Sequence, residues 1–263
     1  MKQQCVVVKI GGNVLDSPRD LEQFLDSFAA LPSPKILVHG GGKLATELSA
    51  KLDIPTQMVE GRRVTNAETL NIVTMVYGGL INKSLVAALQ HRRCNALGMT
   101  GTDAALIQAH KRRSVVDYGF VGDIDAVNIS TIQELFAIGL SLVIAPLTAD
   151  TETGTLLNTN ADTIASAVAS ALAEVYEVHC WYCFEKHGVL ASVDDEGSVI
   201  PQLTFEQYQT LKARGAVVKG MIPKLDAAFS ALRAGVQRVK ICHASALSAY
   251  TTNTSNGTVL VIS

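Results

Sequence analysis

The sequence predicts an α/β protein, and three observations carry that prediction. Short β-branched runs alternate with helical apolar spacing along most of the 263 residues, the pattern of parallel strands joined by crossover helices. The first two of those runs each end in glycines that lead into a helical segment. A hydrophobic content of 48% at this length allows a sizeable core without disulfide staples.

In chain order, residues 5–10 form a strand ended by Gly11-Gly12-Asn13. A helix over 18–30 follows, with Leu21, Phe24, Leu25 and Phe28 at the i, i+3, i+4, i+7 spacing of one buried face. The second strand, 35–39, runs straight into Gly40-Gly41-Gly42 and a helix through about residue 52. Thr65-Asn66-Ala67-Glu68 reads as a capping box opening a helical stretch to about residue 90, bent at Gly78-Gly79. Strands are expected over 95–99, 105–109, 118–121 and 140–145, with a helix near Ser130 between the last two. Residues 148–158 have hairpin turn chemistry, and 161–173 is alanine-rich and helical. Strands over 175–183, 236–242 and 258–262 and helices over 204–214 and 223–234 complete the chain. Without a Pro/Gly/Ser-rich linker, residues 1–263 read as one domain of two lobes, 1–145 and 146–263.

Composition excludes several functions. With 22 Lys+Arg against 24 Asp+Glu and only 17% charged residues, there is no broad basic field for a nucleic-acid backbone. Five scattered cysteines do not make a secreted framework and suit a reduced cytoplasmic setting. No signal peptide opens the chain, and no apolar run approaches the ~20 residues that cross a bilayer, so a membrane location is not expected.

Lys9 stands at the end of the first strand beside glycines whose amides can approach a ligand closely. Gly40-Gly41-Gly42 repeats the arrangement at a helix N-terminus, where free N–H groups favour an anion. Each glycine cluster alone reads equally as a tight strand-to-helix turn; two clusters with a lysine shift the reading toward phosphate chemistry. No P-loop, dinucleotide fingerprint or G-x-S-x-G nucleophile elbow is present. In Asn158-Thr159-Asn160-Ala161-Asp162, period two puts both asparagines on one face, Asn160 can cap the next helix, and Asp162 lies in its first turn. Capping accounts for Asn160 and leaves Asn158 over. In Lys219-Gly220-Met221-Ile222-Pro223-Lys224, Pro223 marks a helix start, and a lysine just inside opposes the helix dipole unless it serves an anion. Arg62-Arg63 is either solvated charge or a carboxylate clamp. Cys180 and Cys183 lie three apart in a strand, hence on opposite faces, and no metal site is expected.

Lys9-Ile-Gly-Gly, His39-Gly-Gly-Gly, Gly61-Arg-Arg-Val-Thr65, Asn158-x-Asn160-Ala-Asp162 and Gly220-Met-Ile-Pro-Lys224, in that order, resemble the N-acetylglutamate kinase branch of the amino acid kinase family over nearly the whole chain. The resemblance implies an open, mainly parallel central sheet sandwiched by helices, with an N-acyl-L-glutamate on the first lobe and ATP with Mg²⁺ on the second. It assigns Lys9, Asp162 and Lys224 to catalysis, Arg63 and Asn158 to the α-carboxylate, and Gly41 and Gly42 to the γ-carboxylate and the transferred phosphoryl group. Gly11, Gly220 and Met221 fall near the ATP phosphates. The implied activity is phosphorylation of the γ-carboxylate in arginine biosynthesis.

Two departures stand out. Phe184-Glu185-Lys186-His187-Gly188 replaces a Ser/Thr-Asp segment usual near the nucleotide, which leaves nucleotide preference open. Arg62 stands where the family often carries an apolar residue; it is either surface charge or a partner for a longer acyl group such as succinyl. Because the chain begins on its first strand, the resemblance implies a homodimer without strong arginine feedback. The alternatives are a family member acting on another carboxylate or carbamate, and a non-catalytic ligand sensor.

Overall fold

The chain opens on β1 (Gln4–Ile10), buried on both faces from Cys5 onward, as a strand between two helix layers must be. The computed structural model describes residues 2–59, 62–192, 194–217, 220–250 and 257–262; Gly61 and Lys219 of the motifs above lie outside them. A single turn, α1 (Gly12–Leu15), and α2 (Pro18–Ala30) follow, the latter capped by the Ser17 hydroxyl and burying Phe24, Leu25 and Phe28. Then come β2 (Lys35–His39) and α3 (Gly42–Lys51), and a two-residue hairpin pair, β3 (Met58–Val59) and β4 (Arg62–Arg63), that the sequence reading lacked.

The long helix is α4 (Ala67–Val73), a π-wound stretch Thr74–Ile81, and α5 (Asn82–His91) in continuous succession. Two expectations change here. Asn66, not Thr65, caps it by accepting from Thr69 N at 2.8 Å, and Gly78-Gly79 sits in a wider i→i+5 winding. At 25 residues this helix is long and apolar enough to span a bilayer, contrary to the expectation that no such run exists. Here it packs on the sheet as a core helix, burying Ile72, Val76, Tyr77, Leu85 and Leu89.

β5 (Ala96–Thr100), β6 (Ile107–Lys111) and β7 (Gly122–Val127) precede α6 (Ile129–Ala137), β8 (Ser141–Ala145) and the hairpin β9 (Leu147–Asp150) and β10 (Leu156–Asn158). The strand expected at 118–121 begins at Gly122 instead, because residues 119 and 121 bridge singly to Thr65 and Asn158. The rest is α7 (Ala161–Leu172), β11 (Glu177–Phe184), β12 (Gln202–Thr204), α8 (Phe205–Ala213), α9 (Ile222–Arg233), β13 (Arg238–His243) and β14 (Thr258–Val261).

Eight strands form one sheet in the order β12-β14-β13-β11-β1-β2-β8-β5. Its pairs are parallel except β13 with β14. Alternate residues of β1 feed two cores. Cys5 and Val7 join α6, α7, α8 and α9, while Val6, Val8 and Ile10 join α2 and the long helix. Helices therefore cover both faces, the arrangement in which ligands bind beyond the carboxyl ends of the strands. A second sheet, β10-β9-β6-β7, lies beside those ends: β9 follows β8 after Pro146 alone, and Asn158 at the end of β10 shares a cavity with Lys9; residues 147–158 complete it with strands from the first half of the chain.

Candidate active site

Lys9 leaves β1 with its side chain buried (6% exposed), and its Nζ lies 2.7 Å from Asp162 Oδ1. Lys224 Nζ, from the first turn of α9, donates to the other oxygen, Oδ2, at 2.9 Å. Asp162 is held because Asn160 caps α7 as expected, accepting from Asp162 N at 2.8 Å and Thr163 N at 3.0 Å. The two helices are tied one turn further on by Ser166 Oγ donating to Ala227 O at 2.7 Å.

The electrostatics follow from two ammonium groups sharing one carboxylate. Burial works to raise Asp162, but the charges of Lys9 and Lys224 override it and hold the carboxyl at about 2. Burial pushes Lys9 down to about 8, opposed by the charge of Asp162 and assisted by that of Lys224. Lys224 is moved up, because the attraction and hydrogen bond of Asp162 outweigh the cost of burial. The cluster keeps a net positive charge in a low-dielectric place, which favours an incoming anion.

Beside it, Gly41 adopts φ +152°, a left-handed conformation that L side chains rarely adopt. A Cβ there would fall 2.3 Å from Ile81 Cδ1 and 3.0 Å from Tyr77 Cδ1. Gly42 opens α3 with Gly41 as its N-cap. Arg63 is buried and already engaged: Nη2 donates to Gly42 O (2.7 Å) and Thr46 Oγ1 (2.8 Å), and Nη1 to Thr56 Oγ1 (3.3 Å). The Tyr77 hydroxyl also hydrogen-bonds the guanidinium, so most of its five donors are taken up in holding this wall of the cavity. Asn158 Nδ2 donates to Thr65 Oγ1 at 3.0 Å, so the hydroxyl expected to cap a helix instead holds an asparagine from the second sheet.

A cavity of about 230 Å³ gathers Lys9, Gly41, Gly42, Arg63, Asn158 and Asp162. Gly12 and Gly40 of the two glycine clusters line it too, whereas sequence reasoning missed Met58, Tyr77, Val121, Pro146 and Thr159; the apolar periodicity around Tyr77 marked it as core and gave no sign of the cavity. Arg62, half-buried, lines it too, which moves that residue off the open surface. Gly11, Gly220 and Met221 do not line this cavity. The Gly11 amide donates to Cys183 O at 2.9 Å, and Phe184 Cβ would come within 3.2 Å of a side chain there, so close strand packing accounts for this glycine. Met221 packs against the core just before α9.

A larger hollow of about 660 Å³ opens on the far side of Gly12 and Gly41. Its walls are leucines, and its charged groups are Lys43 against Asp16, Glu22 and Glu47, a poor match for an anion. Among the described residues no group of three His, Cys, Asp or Glu is placed to hold a metal ion. Cys180 and Cys183 are buried in opposite cores, as the strand period requires.

A doubly covered, mainly parallel sheet, with two lysines sharing one buried carboxylate beside glycine amides near its strand ends, makes a site suited to anions. Residues 4–243 match the model of the amino acid kinase family, and the chain belongs to that family. Its relatives include the acetylglutamate kinases of Cytophaga hutchinsonii, 52% identical over 247 residues and 93% of each chain, and Phocaeicola vulgatus, 49% identical over 261 residues and 99% of each. A solved Streptococcus mutans protein superposes with a TM-score of 0.82 at 26% identity, covering 98% of this chain and 99% of that one.

Proposed function

We propose that this chain is an ATP-dependent kinase of the γ-carboxylate of an N-acyl-L-glutamate, N-acetyl-L-glutamate first, in arginine biosynthesis. The observation that carries the reading is Asp162 between Lys9 and Lys224, beside the Gly41 and Gly42 amides. Relatives of near-identical length named acetylglutamate kinase support it.

A γ-carboxylate has an ordinary pKa near 4.3, is ionised at neutral pH and needs no general base. Its oxygen attacks the γ-phosphorus in line, the bond to the β-phosphate oxygen breaks, and acyl phosphate and ADP leave. The obstacle is repulsion between anions. Lys9 and Lys224 take up charge on the transferring group from two sides, and Asp162 orients them. Gly41 and Gly42 present amides to the γ-carboxylate and phosphoryl oxygens, and Arg63 with Asn158 holds the α-carboxylate. Gly220 and Met221 are assigned to the approach of the ATP phosphates, while Gly11 lets β1 pack closely against β11. Mg²⁺ would be held by the triphosphate oxygens and would lower their charge; Asp162, already bound to both lysines, would stay with them. The enzyme is proposed to work in the cytoplasm as a homodimer, which solution mass tests.

Arg62 on the cavity wall favours a second reading, in which the acyl group ends in a carboxylate, as succinyl does. Hydroxylamine trapping of acyl phosphate with MgATP, comparing kcat/KM for N-acetyl- and N-succinyl-L-glutamate, separates them. Faster acetyl transfer upholds the first reading; faster succinyl transfer, lost in Arg62→Ala, upholds the second. Binding of both without turnover of either would make the chain a sensor.

A further inference from the structure

The freedom that lets glycine amides approach an anion also lets a peptide unit turn over and present its carbonyl instead. In Gly40-Gly41-Gly42 the carbonyls of both peptide units that flank Gly41 are held: Gly41 O accepts from Ala45 N at 3.0 Å in the first turn of α3, and His39 Nδ1 lies 2.8 Å from Gly40 O.

His39 ends β2 and is fully buried. Its second nitrogen, Nε2, faces Asn82 Nδ2 at 3.2 Å, and the same Nδ2 donates to Val143 O at 2.9 Å. The Asn82 amide has one orientation that suits its surroundings: the Val143 carbonyl 2.9 Å from Nδ2 can only accept, and the Lys83 ammonium 3.2 Å from Oδ1 can only donate. An amide nitrogen only donates, so Nε2 accepts and the imidazole proton sits on Nδ1, directed at Gly40 O. Burial drives the ring toward its neutral form, pulling its pKa down to about 4. Room for Asn82 comes from Gly98 on edge strand β5, where a Cβ would fall 2.1 Å from Asn82 Oδ1. Neither His39 nor Asn82 lines the cavity, so neither is explained by ligand contact.

We propose that His39 and Asn82 are positioning residues for phosphoryl transfer. Asn82 selects the Nδ1–H tautomer of His39, and that N–H holds the Gly40 carbonyl so that Gly41 N–H, on the opposite side of the same trans peptide, faces the cavity. The inference rests on the kinase reading above.

The test combines imidazole ¹⁵N–¹H correlation spectra of the ligand-free protein with kinetics of three variants. His39→Asn keeps an N–H donor where Nδ1 stood. His39→Gln carries its amide out to the place of Nε2 and leaves Gly40 O without a donor. Asn82→Asp offers Nε2 an acceptor and draws the proton away from Nδ1. Wild-type His39 is expected as the Nδ1–H tautomer. His39→Gln and Asn82→Asp are expected to lose roughly 30-fold or more of kcat with each KM within about threefold, and His39→Asn to recover most of that loss. An Nε2–H tautomer in the wild type overturns the inference, as does His39→Asn falling as far as His39→Gln, or a loss borne by KM. If the variants do not fold, the wild-type spectrum still decides the tautomer. The kinase reading fails alone if the wild type is inactive with His39 as Nδ1–H; this inference fails alone if turnover is normal with the proton on Nε2.

Discussion

Lys9 and Lys224 contact the two oxygens of one buried carboxylate, at 2.7 Å and 2.9 Å, one from the first strand and one from the last long helix. Asp162 satisfies each cation in part and neutralises only one of them. In the proposed mechanism the surplus charge is set against the incoming phosphate.

Replacing Lys9 or Lys224 by methionine removes a cation that the proposed mechanism sets against the transferring group while keeping the bulk of the side chain. The expected fall in kcat is about 10²–10³-fold, with smaller changes in KM. Steady-state trapping of acyl phosphate measures this; a fall of less than tenfold would remove the residue from the chemistry.

Asp162→Asn leaves two ammonium groups facing each other with no counter-charge. Breaking a buried pair of this kind costs roughly 3–5 kcal/mol, read as a drop in denaturant midpoint. Adding Lys9→Met to the same chain is expected to restore part of the loss. If the double variant is the less stable of the two, the charge argument is wrong.

Burial holds Lys9 at about 8 in the free protein, so its ammonium form is lost as pH rises through that value. Because kcat/KM reports groups of the free enzyme, it is expected to decline above about pH 8, while kcat declines later since bound phosphates favour the charged lysine. Asp162, held at about 2, stays ionised across the working range and contributes no acidic limb. A flat kcat/KM profile from pH 7 to 10 would contradict the assignment.

His39 is neutral in the fold down to about pH 4, whereas an unfolded histidine takes up a proton near 6.5. The unfolded state therefore binds more protons between these values, and stability falls as pH drops from about 6.5 toward 4, by on the order of 3 kcal/mol from this group. Urea midpoints of the wild type and His39→Asn across that window check the sign: the variant should have the flatter profile.

Most elements were legible because their signals are local. The helix Pro18–Ala30 shows its apolar face within two turns, and Asn160 caps α7 through amides two and three residues away. Misreadings arose where a distant partner took over a local signal. Thr65 has the chemistry of an N-cap, yet its hydroxyl accepts from Asn158, 93 residues away, and the cap passes to Asn66. Gly78-Gly79 was read as a bend, but the helix runs through it with π winding and sets Tyr77 and Ile81 against Gly41.

By itself the sequence determined the α/β class, the glycine-ended strands, the lysine at the end of β1 and the acid and lysine at the starts of α7 and α9, since each depends on residues within a turn or a strand. Only the tertiary structure decided that β11 lies beside β1, that a second sheet lies beside the strand ends, and that His39 meets Asn82. The physical reason is that apolar strands buried on both faces satisfy many sheet orders equally well. Which order forms depends on how the crossover helices pack, and that packing is what brings Lys9, Asp162 and Lys224 to one point.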